Sequence, residues 1–218
     1  PASLVYEARY TFQPKGQYLC SFLGTESLFI DIMMNVGIIF WVAEKTQDDR
    51  LWDIATSHCR TSQQYLVHSD GSTVHEAIFD PARGVFLHES TQQGLRPNSC
   101  WSRGLCWALY GFGTAYQFTR DPSFLETAEL CAGYYLRHVL EDWVPYWDFH
   151  LPAGPDSLWD SSAAAIAASG LWNLAALSPD RDKSHQYRNA AFEILDRLTS
   201  AQFLARGHAG QEGILLHG

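Results

Sequence analysis

Leu28-Phe29-Ile30-Asp31-Ile32-Met33-Met34-Asn35-Val36-Gly37-Ile38-Ile39-Phe40-Trp41-Val42-Ala43 carries one carboxylate and one amide in an otherwise apolar run. A helix that is apolar on every side is a buried helix. The run therefore predicts a core helix over about 26–45, with Asp31 held away from bulk water. A buried charge is expensive unless it is paired or neutralised. Asn35, four residues on, falls on the same helix face as Asp31. Burial raises a carboxylate toward the range where it both gives and takes a proton at neutral pH, which makes Asp31 the first candidate for chemistry. The same burial also suits a structural carboxylate that caps a neighbouring helix or pairs with an arginine.

The rest of the chain is consistent with a globular protein of one large or two small domains: 218 residues, 46% hydrophobic and 18% charged. Eight Trp, ten Tyr and twelve Phe suit either core packing or a sugar-binding cleft. The net charge of −9 argues against nucleic acid as a partner, because long polyanions need a basic surface. The apolar run is too short and too interrupted to span a membrane. Cys20, Cys59, Cys100, Cys106 and Cys131 form neither a metal-type cluster nor an even disulfide set, and three of them fall in expected helices. No metal and no cofactor are expected. No signal peptide is visible at Pro1, which leaves the compartment open.

Hydrophobic periodicity places further helices near 50–66, 100–119, 122–139, 160–177 and 182–204. Thr46-Gln47-Asp48-Asp49 and Thr119-Arg120-Asp121-Pro122 carry the signals of helix-hairpin turns, with Pro122 suited to a first helical turn. Alanines 163–165, 167 and 168 permit close helix packing. One segment breaks the pattern. Residues 72–79 and 85–88 flank Asp80-Pro81-Ala82-Arg83-Gly84 and read as an inserted β-hairpin near 72–90. Paired helices with an inserted hairpin suggest a toroid of helical hairpins, and no repeat period supports a regular solenoid.

Three ordered segments resemble one family. They are Ile30-Asp31-Ile32-Met33-Met34-Asn35; Thr91-Gln92-Gln93-Gly94 followed by residues 101–112, Trp101-Ser102-Arg103-Gly104 onward; and Pro145-Tyr146-Trp147-Asp148-Phe149 followed by Asp160-Ser161-Ser162. Their order and spacing over roughly 20–205 resemble the unsaturated glucuronyl hydrolases, glycoside hydrolase family 88. The resemblance implies an all-α (α/α)6 barrel of helical hairpins. Residues 1–218 would form a part of it, with the N-terminal portion and the last helix missing and the isolated piece inactive. It also implies that a second family carboxylate lies in the missing N-terminal region.

The implied activity is release of a 4,5-unsaturated uronic acid from the non-reducing end of oligosaccharides left by polysaccharide lyases. In that reaction an Asp protonates the vinyl ether at C4 and water adds at C5; the hemiketal then opens. The family's catalytic Asp matches Asp31. By the same resemblance His75, Gln93, Trp101, Arg103 and Trp107 surround the substrate, an unsaturated uronyl oligosaccharide. A flat indole gives a sugar ring an apolar platform, and Arg103 offers bidentate donors to a carboxylate, or else pairs with a core acid such as Asp31. Asp160 reads as a helix N-cap, and Asp148 stays open between structure and site. Gln92, Leu105 and Trp159 depart from the family pattern of His, Gln and Arg. Two alternatives remain: an unsaturated rhamnogalacturonyl hydrolase, and a non-catalytic carbohydrate-binding relative.

Overall fold

The decisive run is three elements rather than one helix. The computed structural model describes residues 8, 11–139, 141–152, 154, 158–207, 210 and 212–217. Two short antiparallel strands, β1 (Phe12–Gln13) and β2 (Tyr18–Leu19), come first. The apolar run then begins as strand β3 (Ser27–Phe29), tightens into a 3-10 turn (Ile30–Met34) and only then becomes helix α1 (Val36–Thr46). The single helix expected over 26–45 is thus corrected. Apolarity on every side reports burial, and a buried strand satisfies it as well as a buried helix does. The partner decides between them: β3 pairs antiparallel with β4 (Glu76–Asp80), Phe29 opposite Glu76, and Ile30 N–H donates to the His75 carbonyl at 3.0 Å.

The inserted hairpin is present, as β4 and β5 (Val85–Ser90), and β3 makes it a three-stranded sheet. The other helices lie close to the predicted spans: α2 (Asp49–Leu66), α3 (Ser102–Thr119), α4 (Pro122–His138), α5 (Ser161–Leu177) and α6 (Arg181–Leu198). Their starts are local. Asp48, Asp121, Asp160 and Asp180 each accept backbone N–H bonds from the first turn they precede, and Pro122 occupies the first turn of α4. Helix α6 stops six residues before the predicted end at 204, because the chain turns so that Phe203 is buried against Trp159, ring centroids 5.8 Å apart.

Consecutive helices form three hairpins, α1–α2, α3–α4 and α5–α6. Their first helices pack side by side, α1 on α3 and α3 on α5. This is the hairpin architecture the resemblance implies. All five cysteines are free thiols, with Cys59, Cys106 and Cys131 buried in α2, α3 and α4. No described helix is long and apolar enough to cross a membrane.

The 3-10 turn sits on α3 through glycines. A Cβ on Gly111 would lie 2.5 Å from the Met33 carbonyl oxygen, and one on Gly104 would lie 2.9 Å from Ile30 Cγ2. The backbone two residues beyond Asp31 therefore touches α3 directly. Gly111→Ala is expected to destabilise the fold by about 1–3 kcal/mol, because a methyl cannot enter without shifting backbone. Urea unfolding measures this, and a variant as stable as the parent would refute the contact.

Candidate active site

His75 stands just before β4 and is 1% exposed. Its ring lies against Phe29, centroids 4.5 Å apart, and meets Trp101 edge-on at 5.0 Å. The loop after β5 reaches its other nitrogen: Nδ1 accepts the Gln92 backbone N–H at 2.9 Å, with the Gln93 N–H at 3.4 Å. A nitrogen that accepts an N–H bond carries no proton of its own, so the ring proton of neutral His75 is on Nε2. Nε2 lies 3.2 Å from Asp31 Oδ2. The approach is off the line of a well-formed hydrogen bond, and among the described residues neither atom has a hydrogen-bond partner.

Asp31 is not sealed in the core, as a helix interior would require. It sits in the 3-10 turn with 27% of its side chain exposed. Oδ2 is buried against His75, so the exposed part of the side chain turns toward a hollow of about 290 Å³. Asp31, Asn35, Gln93, Ser21, Phe22 and Met34 are among its lining. Asn35 is therefore a neighbour of Asp31, as expected, but across the junction of turn and helix rather than along one helix face. A second hollow of about 280 Å³ shares Cys20, Ser21, Phe22, Ile32 and Asn35 with the first. A larger groove of about 540 Å³ runs between α4 and α6, away from Asp31, and there Lys183 is already paired with Glu129 at 2.6 Å.

The other predicted residues divide. Gln93 lines the hollow. Trp101 is 3% exposed and walls His75, so it does not present the open sugar platform expected of it. The Arg103 guanidinium lies over the Trp101 ring at 5.4 Å and is held by Asp160 Oδ2, with Nη2 at 3.0 Å and Nε at 3.2 Å. The acid paired with Arg103 is thus Asp160. Asp160 also caps α5, accepting from Ala163 N at 2.8 Å and the Ser162 hydroxyl at 2.6 Å, the structural role expected of it. Asp31, His75, Trp101, Arg103 and Asp160 form a row in which each side chain meets the next. Trp107 shares α3 with Arg103, but its ring contact is with Tyr110, 6.2 Å between centroids, and it does not line the hollow.

Asp148 resolves to structure. It is fully buried, and its Oδ2 accepts from Leu95 N and from the Ser99 hydroxyl, 2.9 and 2.6 Å away. The three departures are placed as well. Leu105 is in the core, Trp159 packs on Tyr146 at 4.8 Å, and the Gln92 side chain donates to Glu76 Oε2 at 3.3 Å. Sequence reasoning missed two residues here. Phe22 is 88% exposed on the rim of the hollow, and Glu76 is 1% exposed behind it. An acid directly after His75 and just before the apolar Ala77-Ile78-Phe79 was a visible signal for Glu76.

Similarity to known proteins points the same way. The unsaturated glucuronyl hydrolase of Bacillus sp. (strain GL1) is 37% identical over 159 residues, 73% of this chain and 42% of that protein. The unsaturated chondroitin disaccharide hydrolase of Streptococcus pyogenes serotype M1 is 30% identical over 212 residues, 95% of this chain and 53% of the relative. The crystal structure of the Bacillus sp. GL1 unsaturated glucuronyl hydrolase superposes with a TM-score of 0.92 at 30% identity, covering 98% of this chain and 58% of that one. No family model matches. The chain spans about half the length of the curated relatives it matches.

Proposed function

Because the chain belongs to the unsaturated glucuronyl hydrolase family, we propose that it carries the proton-donating part of an enzyme acting on lyase-generated oligosaccharides, releasing their 4,5-unsaturated uronic acid. The observation that carries this reading is the Asp31–His75 pair at the edge of the hollow. His75 presents Nε2–H toward Oδ2, so a proton on Asp31 sits on the other oxygen. The reaction needs one group that acts first as acid and then as base. Asp31 gives its proton to C4 of the vinyl ether. The carboxylate left behind takes a proton from the water that adds at C5, and His75 N–H stabilises its charge meanwhile. The C5 hemiketal then opens and the sugar leaves, with Asp31 reprotonated.

Gln93 is assigned to the sugar hydroxyls and Phe22 to an apolar sugar face, since both line the hollow. Trp101 and Arg103 act from behind, holding His75 through the row that ends at Asp160. Trp107 remains a proposed substrate contact on its place in the motif alone. The substrate class follows from the relatives, one of which is named for unsaturated chondroitin disaccharide. The test is direct. The chain, and any longer polypeptide that contains it, is incubated with unsaturated chondroitin and other glycosaminoglycan disaccharides, and the ultraviolet absorbance of the C4=C5 bond is followed. Decay with release of the saturated sugar supports the reading; a persistent double bond in every case overturns it.

A further inference from the structure

The carboxylate behind the hollow has no place in the proton transfer. Glu76 is 1% exposed, and both of its oxygens are met by neutral donors. Ser27 Oγ donates to Oε1 at 2.5 Å and Gln92 Nε2 to Oε2 at 3.3 Å. A buried carboxylate is costly even when hydrogen-bonded, and an apolar residue would suit a buried strand position as well. What Glu76 holds is informative. On one side, Gln92 is fixed by its side chain to Glu76 while its backbone N–H is the 2.9 Å donor to His75 Nδ1. On the other side, Ser21 Oγ donates to Ser27 Oγ at 2.7 Å and accepts the Leu23 N–H at 3.1 Å. The two arms end at two segments that line the hollow, the loop bearing Gln93 and the loop bearing Phe22.

We propose that Glu76 is a positioning residue that brackets both segments, holding the Gln92 backbone N–H on His75 Nδ1 so that the ring keeps its proton on Nε2, toward Asp31. The role rests on the reading of Asp31 as the proton donor. Without the bracket the loop after β5 loses its side-chain anchor, and the His75 ring is free to take the other tautomer. That tautomer turns an unprotonated Nε2 toward the Asp31 carboxyl and no longer supports its charge.

Three variants test the bracket: Glu76→Ala, Glu76→Gln and Gln92→Ala. The readouts are the 15N shifts of the His75 ring, amide exchange at Leu23, Gln92 and Gln93, and, in a longer polypeptide that contains the chain, steady-state kinetics on the unsaturated disaccharide. Glu76→Ala and Gln92→Ala are expected to mix the His75 tautomers and speed exchange at Gln92 and Gln93. They lower kcat by about 10–100-fold with little change in KM, the usual effect of a small misplacement near the reacting groups. Glu76→Ala also speeds exchange at Leu23, whereas Gln92→Ala does not. Glu76→Gln restores the pattern, since an amide accepts from Ser27 through its oxygen and donates to the Gln92 oxygen once that side chain turns. Gln92 is exposed, so its truncation leaves the sheet intact even where Glu76→Ala prevents folding. A native His75 spectrum and native exchange in Gln92→Ala would overturn the proposal. Failure of the chain and of any longer polypeptide that contains it to consume the disaccharide, with the ring and exchange changes still seen, removes the functional reading and leaves the bracket standing.

Discussion

Asp31→Asn lowers kcat on an unsaturated uronyl disaccharide by about 10²–10⁴-fold, the range a positioned general acid–base contributes. KM stays close to that of the parent. The reason lies in the geometry of the pair. Asparagine has the same shape as aspartate and turns its amide oxygen to His75 Nε2–H, the contact that Oδ2 now makes at 3.2 Å. The hollow keeps its walls, and Gln93 and Phe22 keep their places. What disappears is a proton to give and a base to receive one. Steady-state kinetics on the purified variant of a longer polypeptide that contains the chain, with its fold checked by circular dichroism, measure the split. Equal turnover by parent and variant would remove Asp31 from the mechanism.

Acid destabilises the fold through His58. This side chain of α2 is wholly buried; its Nδ1 accepts the Leu19 N–H at 3.1 Å, and its Nε2 lies 3.4 Å from the Ser62 hydroxyl. A second proton would set an N–H on Nδ1 against the N–H of Leu19, and burial pushes the imidazole down to about 3 from its ordinary 6.5. Below pH 6.5 the unfolded chain takes up a proton that the folded chain refuses. Stability from this group is therefore full above about pH 6.5 and is lost as the pH falls toward 3, at about 1.4 kcal/mol per pH unit. Between pH 6.5 and 4.5 that amounts to about 2 kcal/mol, since the full slope is reached only below the unfolded-state midpoint. Urea unfolding at both pH values, on the parent and on His58→Gln, isolates the effect from the other titrating groups. The parent loses that much more than the variant; superimposable pH dependences would refute the assignment.

How legible each part was depends on where its partners lie. The caps at Asp48, Asp121 and Asp160 act within three residues, so the helix starts could be read directly. The apolar run could not be divided by inspection, because β3 exists only through β4, with Ser27 opposite Ile78. The turn at 80–84 between its two flanking segments identified the hairpin but not the third strand beside it. In the site, Asp31 and His75 were legible through the family motifs, and their mutual contact was not. Arg103 was legible as a cation near the site, but its partner Asp160 lies 57 residues away. Glu76 was missed for the same reason: Ser27 and Gln92 reach it from opposite directions in the chain. Trp101 shows the converse error. Its residue type suggested a platform, and only packing reveals that the Arg103 guanidinium lies over its ring and that His75 packs against it.

The Ile30 N–H bond to the His75 carbonyl has a consequence for how the site comes into being. It closes the neck of a long excursion that leaves the sheet after Phe29, builds α1 and α2, and returns at His75. Asp31 and His75 sit at the two sides of that neck. On a ribosome, Asp31 emerges first and stays without its partner until the whole helical hairpin has followed it out. The loop after β5, which fixes the His75 ring, comes later still. Asp31 therefore gains its surroundings as a late step of synthesis, and stalled or truncated chains that stop just before this loop would hold Asp31 and His75 but not the Gln92 N–H that fixes the His75 ring.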